Sequence, residues 1–419
     1  LTRKRVVTGP GVAWAAALVG AWLAAAACRT LQAGAAAAEA VERAVSDPLA
    51  GVDAPRVRVG VLVGAEGAAA CARSGVAVHG RLPGETATVL RHLATATFVP
   101  AGGSERLRLQ ETGEELLLAT VVPAAAGEPL RLGDLEYRGV LEARPAPAGT
   151  LTVVNVVNLE DYLRGVVANE LSPDAFPHIE AQKAQAVAAR SWVLAHLGQY
   201  ASKGYDVCAT PACQVYRGTS SEHPLTDRAV AETRQVVATW RGRPINAYYT
   251  STCGGHTEDG AAIFEDRAPY LRGVACPVET HPGEEAERAG KDRWEVRLTP
   301  AQVAKAVSRY GAVGEVRDIV PTRLGVSGRV VELQVVGSEQ SLDLRGLRVR
   351  WGLGLRESLF ELSRETGPGG EVLRFVIHGR GWGHGVGLCQ VGAFGMARSG
   401  ASYESILRHY YTGIRLDRL

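Results

Sequence analysis

A run of alternating glycines near the end of the chain limits its fold more than any other feature. Residues 375–400 read FVIHGRGWGHGVGLCQVGAFGMARSG, with eight glycines between 379 and 400. Glycines at 379, 381, 383, 385 and 387 let the backbone bend tightly and come close to a ligand, so a strand ending at His378 is predicted to open directly into a binding loop. Trp382 offers the flat apolar face on which sugar rings stack, and the His384 imidazole can donate or accept a proton near neutrality. A hydrogen bond within the loop is the structural alternative for His384. Gln390 adds a neutral amide suited to hydroxyl or acetamido groups. The order of the Walker and dinucleotide motifs is absent, which disfavours a nucleotide.

Asn158 to Glu170 reads NLEDYLRGVVANE, and Leu159, Leu163, Val166, Val167 and Glu170 recur at the steps of one helical face. An acid therefore stands where a core residue is expected. Asn158 can cap the helix start, and Ser172-Pro173 stops the helix soon after Glu170. Desolvation disfavours the ionised form, so a carboxyl on an apolar face tends to keep its proton near neutrality and can act as a general acid. The plain alternative is a frayed helix end, with Glu170 in solvent or paired to Lys183 or Arg190.

Arg3, Lys4 and Arg5 precede an apolar run from Val12 to Cys28, which reads as an export signal within residues 1–28. Ala25–Ala27 suit cleavage by a signal peptidase, Cys28 suits lipid attachment, and 17 apolar residues fall just short of a comfortable membrane span. All three outcomes place the rest of the chain outside the cytoplasm, with membrane contact only through this segment. A composition of 46% hydrophobic and 21% charged residues suits a folded globular protein. The formal charge of +2, without a basic stripe interleaved with aromatics, argues against nucleic acid.

Short alternating runs between 55 and 150 predict a strand-rich N-terminal region. Residues 145–149, Pro-Ala-Pro-Ala-Gly, connect it to a core over 151–419 that begins with a strand at 151–157. Helices are expected at 179–200, 227–239 and 299–310, and strands near 245–249, 316–319, 329–336 and 373–378. The charged, Pro- and Gly-containing stretch 279–293 reads as an exposed loop. Helices and strands interleave irregularly, so the predicted class is α+β.

An exported chain can keep disulfides. Cys253 and Cys276 flank a Gly-rich region and are the first candidates for a bridge. Cys208 and Cys213 have four residues between them, a spacing open to either a zinc pair or a local disulfide. His196, His223 and His256 are available to complete a zinc site, none at a persuasive spacing. Neither HExxH nor GxSxG occurs.

Several long segments in order resemble the stage II sporulation protein D / LytB family of cell-wall proteins. They are VVNLEDYLRGVVANELSP (156–173), AQKAQAVAARSW (181–192), CQVYRG (213–218), YYTSTCGG (248–255), SGRVVEL (327–333), LRESLF (355–360), GRGWGHGVGLCQVGAFGMA (379–397) and ILRHYYTGIRL (406–416). The resemblance runs from roughly Val57 to Arg418. It implies a peptidoglycan lytic transglycosylase that prefers glycan strands without stem peptides, with Glu170 as the catalytic acid and then base. Lys183, Arg190 and Ser191 match positions beside the family's cleft, with Arg190 as a support for the carboxylate. That mechanism requires no cofactor. Some members carry zinc on a His and two Cys in the region matching Ser202 to Cys213, whereas this chain has no His between 197 and 213. Leu171-Ser172 also replaces the family's Met-Pro after the acid. The LytB branch implies the alternative, a non-catalytic wall module that enhances an amidase.

Overall fold

A computed structural model describes residues 55–84, 88–102, 105–276 and 293–419. The segment 1–28 and residues 279–292 of the expected loop lie outside them, while Arg293 already begins a strand, Arg293–Leu298. The described chain is a mixed α+β fold that divides into two units. Residues 64–133 and 139–153 form one. Residues 55–63, 134–138 and 154–419 fall in the other.

The first unit is built of antiparallel strands. Ala68–Arg81 lies between Thr88–Ala101 and Leu118–Pro123, and the latter pairs onward with Val140–Ala146. A register shift between Cys71 and Val76 interrupts the first ladder. Val76, Ala96, Phe98, Leu107, Leu109, Leu116, Val121 and Leu141 are almost wholly buried, which is the stabilising pattern expected of apolar residues on one side of half-covered strands.

Residues 55–63 fall in the second unit, where Val59 and Gly60 pair in parallel with Val207 and Cys208. The Thr150–Asn158 strand lies on the other side of Arg56–Ala65 and feeds the helix Leu159–Glu170. The Asn158 side chain caps that helix by accepting from the Glu160 N–H at 2.9 Å.

The helix Ile179–Ala195 is the hub of the second unit. Its buried alanines, 181, 184, 186, 188 and 189, let it pack closely against Leu159–Glu170, Pro224–Glu232, Gln390–Arg398, Tyr403–Tyr410 and the strand Val236–Trp240. The expected helix over 227–239 is corrected: it spans Pro224–Glu232, and a strand begins at Val236. Gln235 takes a φ of 64° between them, and the β-branched Val236 and Val237 favour the strand. Further along, Arg293–Leu298, Val372–Arg380 and Phe360–Thr366 form one antiparallel sheet, and Val316–Leu324, Val330–Gly337 and Ser341–Arg345 another. They share a core with the helix Pro300–Val307 around Val303, Ile319, Leu333, Val349 and Phe375. Among the described residues no helix is long and apolar enough to cross a membrane.

Candidate active site

The glycine-rich segment is held as a loop by what surrounds it. Glycines 381, 383, 385 and 387 all adopt positive φ, and a Cβ on Gly383 would stand 2.0 Å from the Thr250 hydroxyl. That hydroxyl receives the N–H groups of His384 and Gly385, each at 3.2 Å. Trp294 Nε1 donates to the Gly381 carbonyl at 3.0 Å. Tyr249–Thr250 then pairs in parallel with Leu388–Cys389, which brings the YYTSTCGG segment and the glycine loop to one place.

The result is a cleft of about 270 Å³ lined by Glu170, Trp192, Pro211, Cys213, Tyr248, Tyr249, Thr250, Ser251, Arg350, Trp382, Gly383, His384 and Gln390. Glu170 is the one carboxylate among those residues. Burial is the larger influence on it and pushes its pKa from the ordinary 4.5 up to about 7, against hydrogen bonds from the Val215 N–H and the Tyr249 hydroxyl. The Val215 N–H reaches Glu170 Oε1 at 2.6 Å.

Tyr249 is aimed by a chain of polar groups. The Tyr162 hydroxyl donates to Gln214 Oε1 at 2.9 Å, and Gln214 Nε2 donates to the Tyr249 oxygen at 3.1 Å. With that oxygen already accepting, its proton is left for Glu170. Burial also pushes the Tyr249 hydroxyl well above its usual range, so it stays a donor. Tyr162, Gln214 and Tyr249 had no assigned role in the sequence reading. The only signal for Gln214 and Tyr249 was their place in CQVYRG and YYTSTCGG.

Of the expected site residues, the structure gathers Glu170, Trp382, His384 and Gln390. Gln390 Nε2 donates to the Glu170 carbonyl at 2.9 Å and to Gln185 Oε1 at 3.2 Å, so it fixes the end of the acid-bearing helix. Trp382 is 36% exposed, with the Arg356 guanidinium 4.8 Å from its ring. His384 takes the structural role: its Nδ1 accepts the Val386 N–H at 3.1 Å. Burial, then Arg350 and Arg329, pull its pKa down to about 3, so the ring is neutral at physiological pH.

Lys183, Arg190 and Ser191 do not line the cleft, and this is a correction. Lys183 Nζ pairs with Glu180 and Glu232 at 2.8 and 2.7 Å. Arg190 is wholly buried and grips Glu160 with two hydrogen bonds of 3.0 and 2.7 Å. Ser191 donates to the Val187 carbonyl and accepts the Ala238 N–H. Their shared helix fixed their order along the chain, but its rotation turns these side chains toward the neighbouring helix and strand.

The cysteine expectations also change. Cys208 and Cys213 form a disulfide with Cα atoms 5.5 Å apart, a separation suited to the bond. They therefore offer no pair of thiolates, and zinc does not fit there. His223 Nδ1 is taken by the Leu225 N–H, and His256 Nδ1 by the Thr257 carbonyl. The expected Cys253–Cys276 bridge is not formed; both are thiols in a cluster that also contains Cys389. Sequence spacing could not show that a third cysteine joins them in space.

Known proteins match large parts of this chain. The family described as Stage II sporulation protein matches residues 147–240, and a domain of unknown function (DUF8618) matches residues 279–387. An uncharacterised protein of Brachyspira hyodysenteriae is 34% identical over 68% of this chain and 73% of its own length. The stage II sporulation protein D of Bacillus subtilis is 32% identical over 63% of this chain and 76% of its own length. The amidase enhancer of the same organism is 26% identical over 61% of this chain, but the match covers only 40% of that larger protein. With the acid, the glycine loop and CQVYRG converging on one cleft, and a named relative matched over three quarters of its length, the chain belongs to the stage II sporulation protein D family.

Proposed function

We propose that this protein is an exported peptidoglycan lytic transglycosylase. Family membership supports a role at the cell wall. The observation that carries the finer reading is the Glu170 carboxyl, still half protonated near pH 7 at the edge of a cleft with aromatic walls.

Glu170 donates its proton to the glycosidic oxygen that follows N-acetylmuramic acid. The bond from that oxygen to C1 breaks, and the carboxylate left behind is stabilised by the Val215 N–H and the Tyr249 hydroxyl. The same carboxylate then takes the proton of the sugar's 6-hydroxyl as that oxygen closes on C1 to give the 1,6-anhydro ring. One acid suffices because the nucleophile belongs to the substrate, which accords with the single carboxylate among the described residues that line the cleft. Trp382 supplies a face for a sugar ring. Arg350, also in the lining, suits the free lactyl carboxylate of a muramyl residue without a stem peptide. No metal or cofactor takes part. Export rests on the apolar N-terminal run.

Mass spectrometry of intact and peptide-free sacculi incubated with the purified protein should show anhydro-muramyl ends, more from the peptide-free material. Glu170→Gln should lower that release by about a thousandfold. Equal product from both proteins sinks the assignment. The amidase-enhancer relative favours a second reading, in which the cleft binds glycan for a partner hydrolase. On that reading stimulation of an amidase survives Glu170→Gln and weakens with Trp382→Ala.

A further inference from the structure

Three thiols converge behind the cleft. Cys253, Cys276 and Cys389 are at most 1% exposed, and their Sγ atoms all lie within 4.8 Å of one another. The Tyr410 hydroxyl stands 3.1 Å from Cys276 Sγ. Each cysteine comes from a different segment, and the backbone sets all three. Cys389 pairs in register with Thr250, the Cys276 N–H donates to the Gly255 carbonyl at 2.9 Å, and the Arg329 guanidinium holds the Cys253 carbonyl at 2.6 Å.

We propose that this trio is a binding site for a thiophilic d10 divalent cation, with zinc as its occupant and the Tyr410 phenol within reach as a fourth donor. Thiolates around tetrahedral zinc, at about 2.3 Å from the metal, stand just under about 4 Å from one another, so the spacing needs little adjustment. A disulfide would use two of the three sulfurs and strand the third. Two features favour the thiolate form. Cys389 caps the helix Gln390–Arg398 and receives the Gly392 N–H at 3.3 Å, where a helix N-terminus favours negative charge. The buried Arg329 lies within electrostatic reach of Cys253, sharing its charge with Glu357, beside a site that three thiolates and a divalent cation would leave at −1.

Gly392 keeps the space open. A Cβ there would fall 2.2 Å from both Cys276 Sγ and the Tyr410 hydroxyl. The site is separate from Cys208 and Cys213, and it needs no assumption about glycan cleavage. Its effect would be to clamp the short ladder from which Tyr249 and Gln390 reach Glu170.

The test uses the full-length protein purified under reductant and titrated with Zn²⁺ against a chromophoric chelator, and separately with Co²⁺. About one equivalent should bind, with the intense visible bands of tetrahedral cobalt and thiolate charge transfer in the near ultraviolet. Cys253→Ser, Cys276→Ser and Cys389→Ser should each weaken binding at least about tenfold, as should Gly392→Ala. The Cys208→Ser/Cys213→Ser double variant should bind as the parent does. Less than about one-tenth of an equivalent in the parent protein overturns the proposal. So does binding lost only in the double variant, or a disulfide between any two of the trio found by alkylation and mass spectrometry in protein purified without reductant. The cobalt spectrum of the unmodified protein decides the matter even where a variant fails to fold.

Discussion

Two glutamates sit at opposite ends of one helix and are treated in opposite ways. Glu160, in the first turn of Leu159–Glu170, is met by the wholly buried Arg190 and also accepts the Gln235 N–H. Glu170, in the last turn, receives one backbone N–H and one phenol, and burial dominates its proton affinity. The comparison shows how a single element holds one carboxyl in an ion pair and another whose proton affinity is set by burial. A matched guanidinium holds the first in a buried ion pair, while desolvation without such a partner keeps the second near the point of losing its proton.

The sharpest way to break this comparison is Glu160→Gln, which leaves the Arg190 charge buried without its counterion. Urea unfolding should show a loss of about 3–5 kcal/mol, and an unchanged midpoint would mean that the pair is not structural. Glu170→Gln should act in the other direction. With its folded pKa raised from 4.5 to about 7, ionisation of Glu170 costs nothing below the unfolded value, costs more as pH rises through the window, and reaches its full cost above about 7. The variant should therefore be more stable by about 1–3 kcal/mol at pH 8, with the gain fading toward pH 4.5. A gain that grew toward low pH would reverse the sign of the argument. The smallest expected effect is that of Tyr249→Phe. Losing a donor to the anion should raise the Glu170 pKa further and move the alkaline limb of kcat/KM upward by less than about one unit, whereas a downward move would show that the phenol does not favour the carboxylate.

What could be read from the sequence divides along physical lines. Asn158 as a cap, the apolar spacing that ends on Glu170, and the loop character of the glycine run are local properties, and each is present in the structure. Gln390 was legible as an amide near the site, though its contacts are with the Glu170 carbonyl and Gln185. Lys183 and Arg190 were not legible as structural, because their partners Glu232 and Glu160 lie on other elements. Tyr249 and Gln214 were missed for the same reason: their role depends on segments that meet only in three dimensions. The helix expected over 227–239 failed at Gln235, where a single left-handed residue outweighs the periodicity on either side.

The two-residue parallel ladder of Tyr249–Thr250 with Leu388–Cys389 joins positions nearly 140 residues apart. The stretch between them is tied back to the same place by further bridges, Thr252 with Trp382 and Glu258 with Val386. Because that stretch also supplies Arg350, Trp382, Gly383 and His384 to the cleft, a shift of its sheets would be felt at the mouth around Glu170, so the short ladder makes distant packing a part of the site.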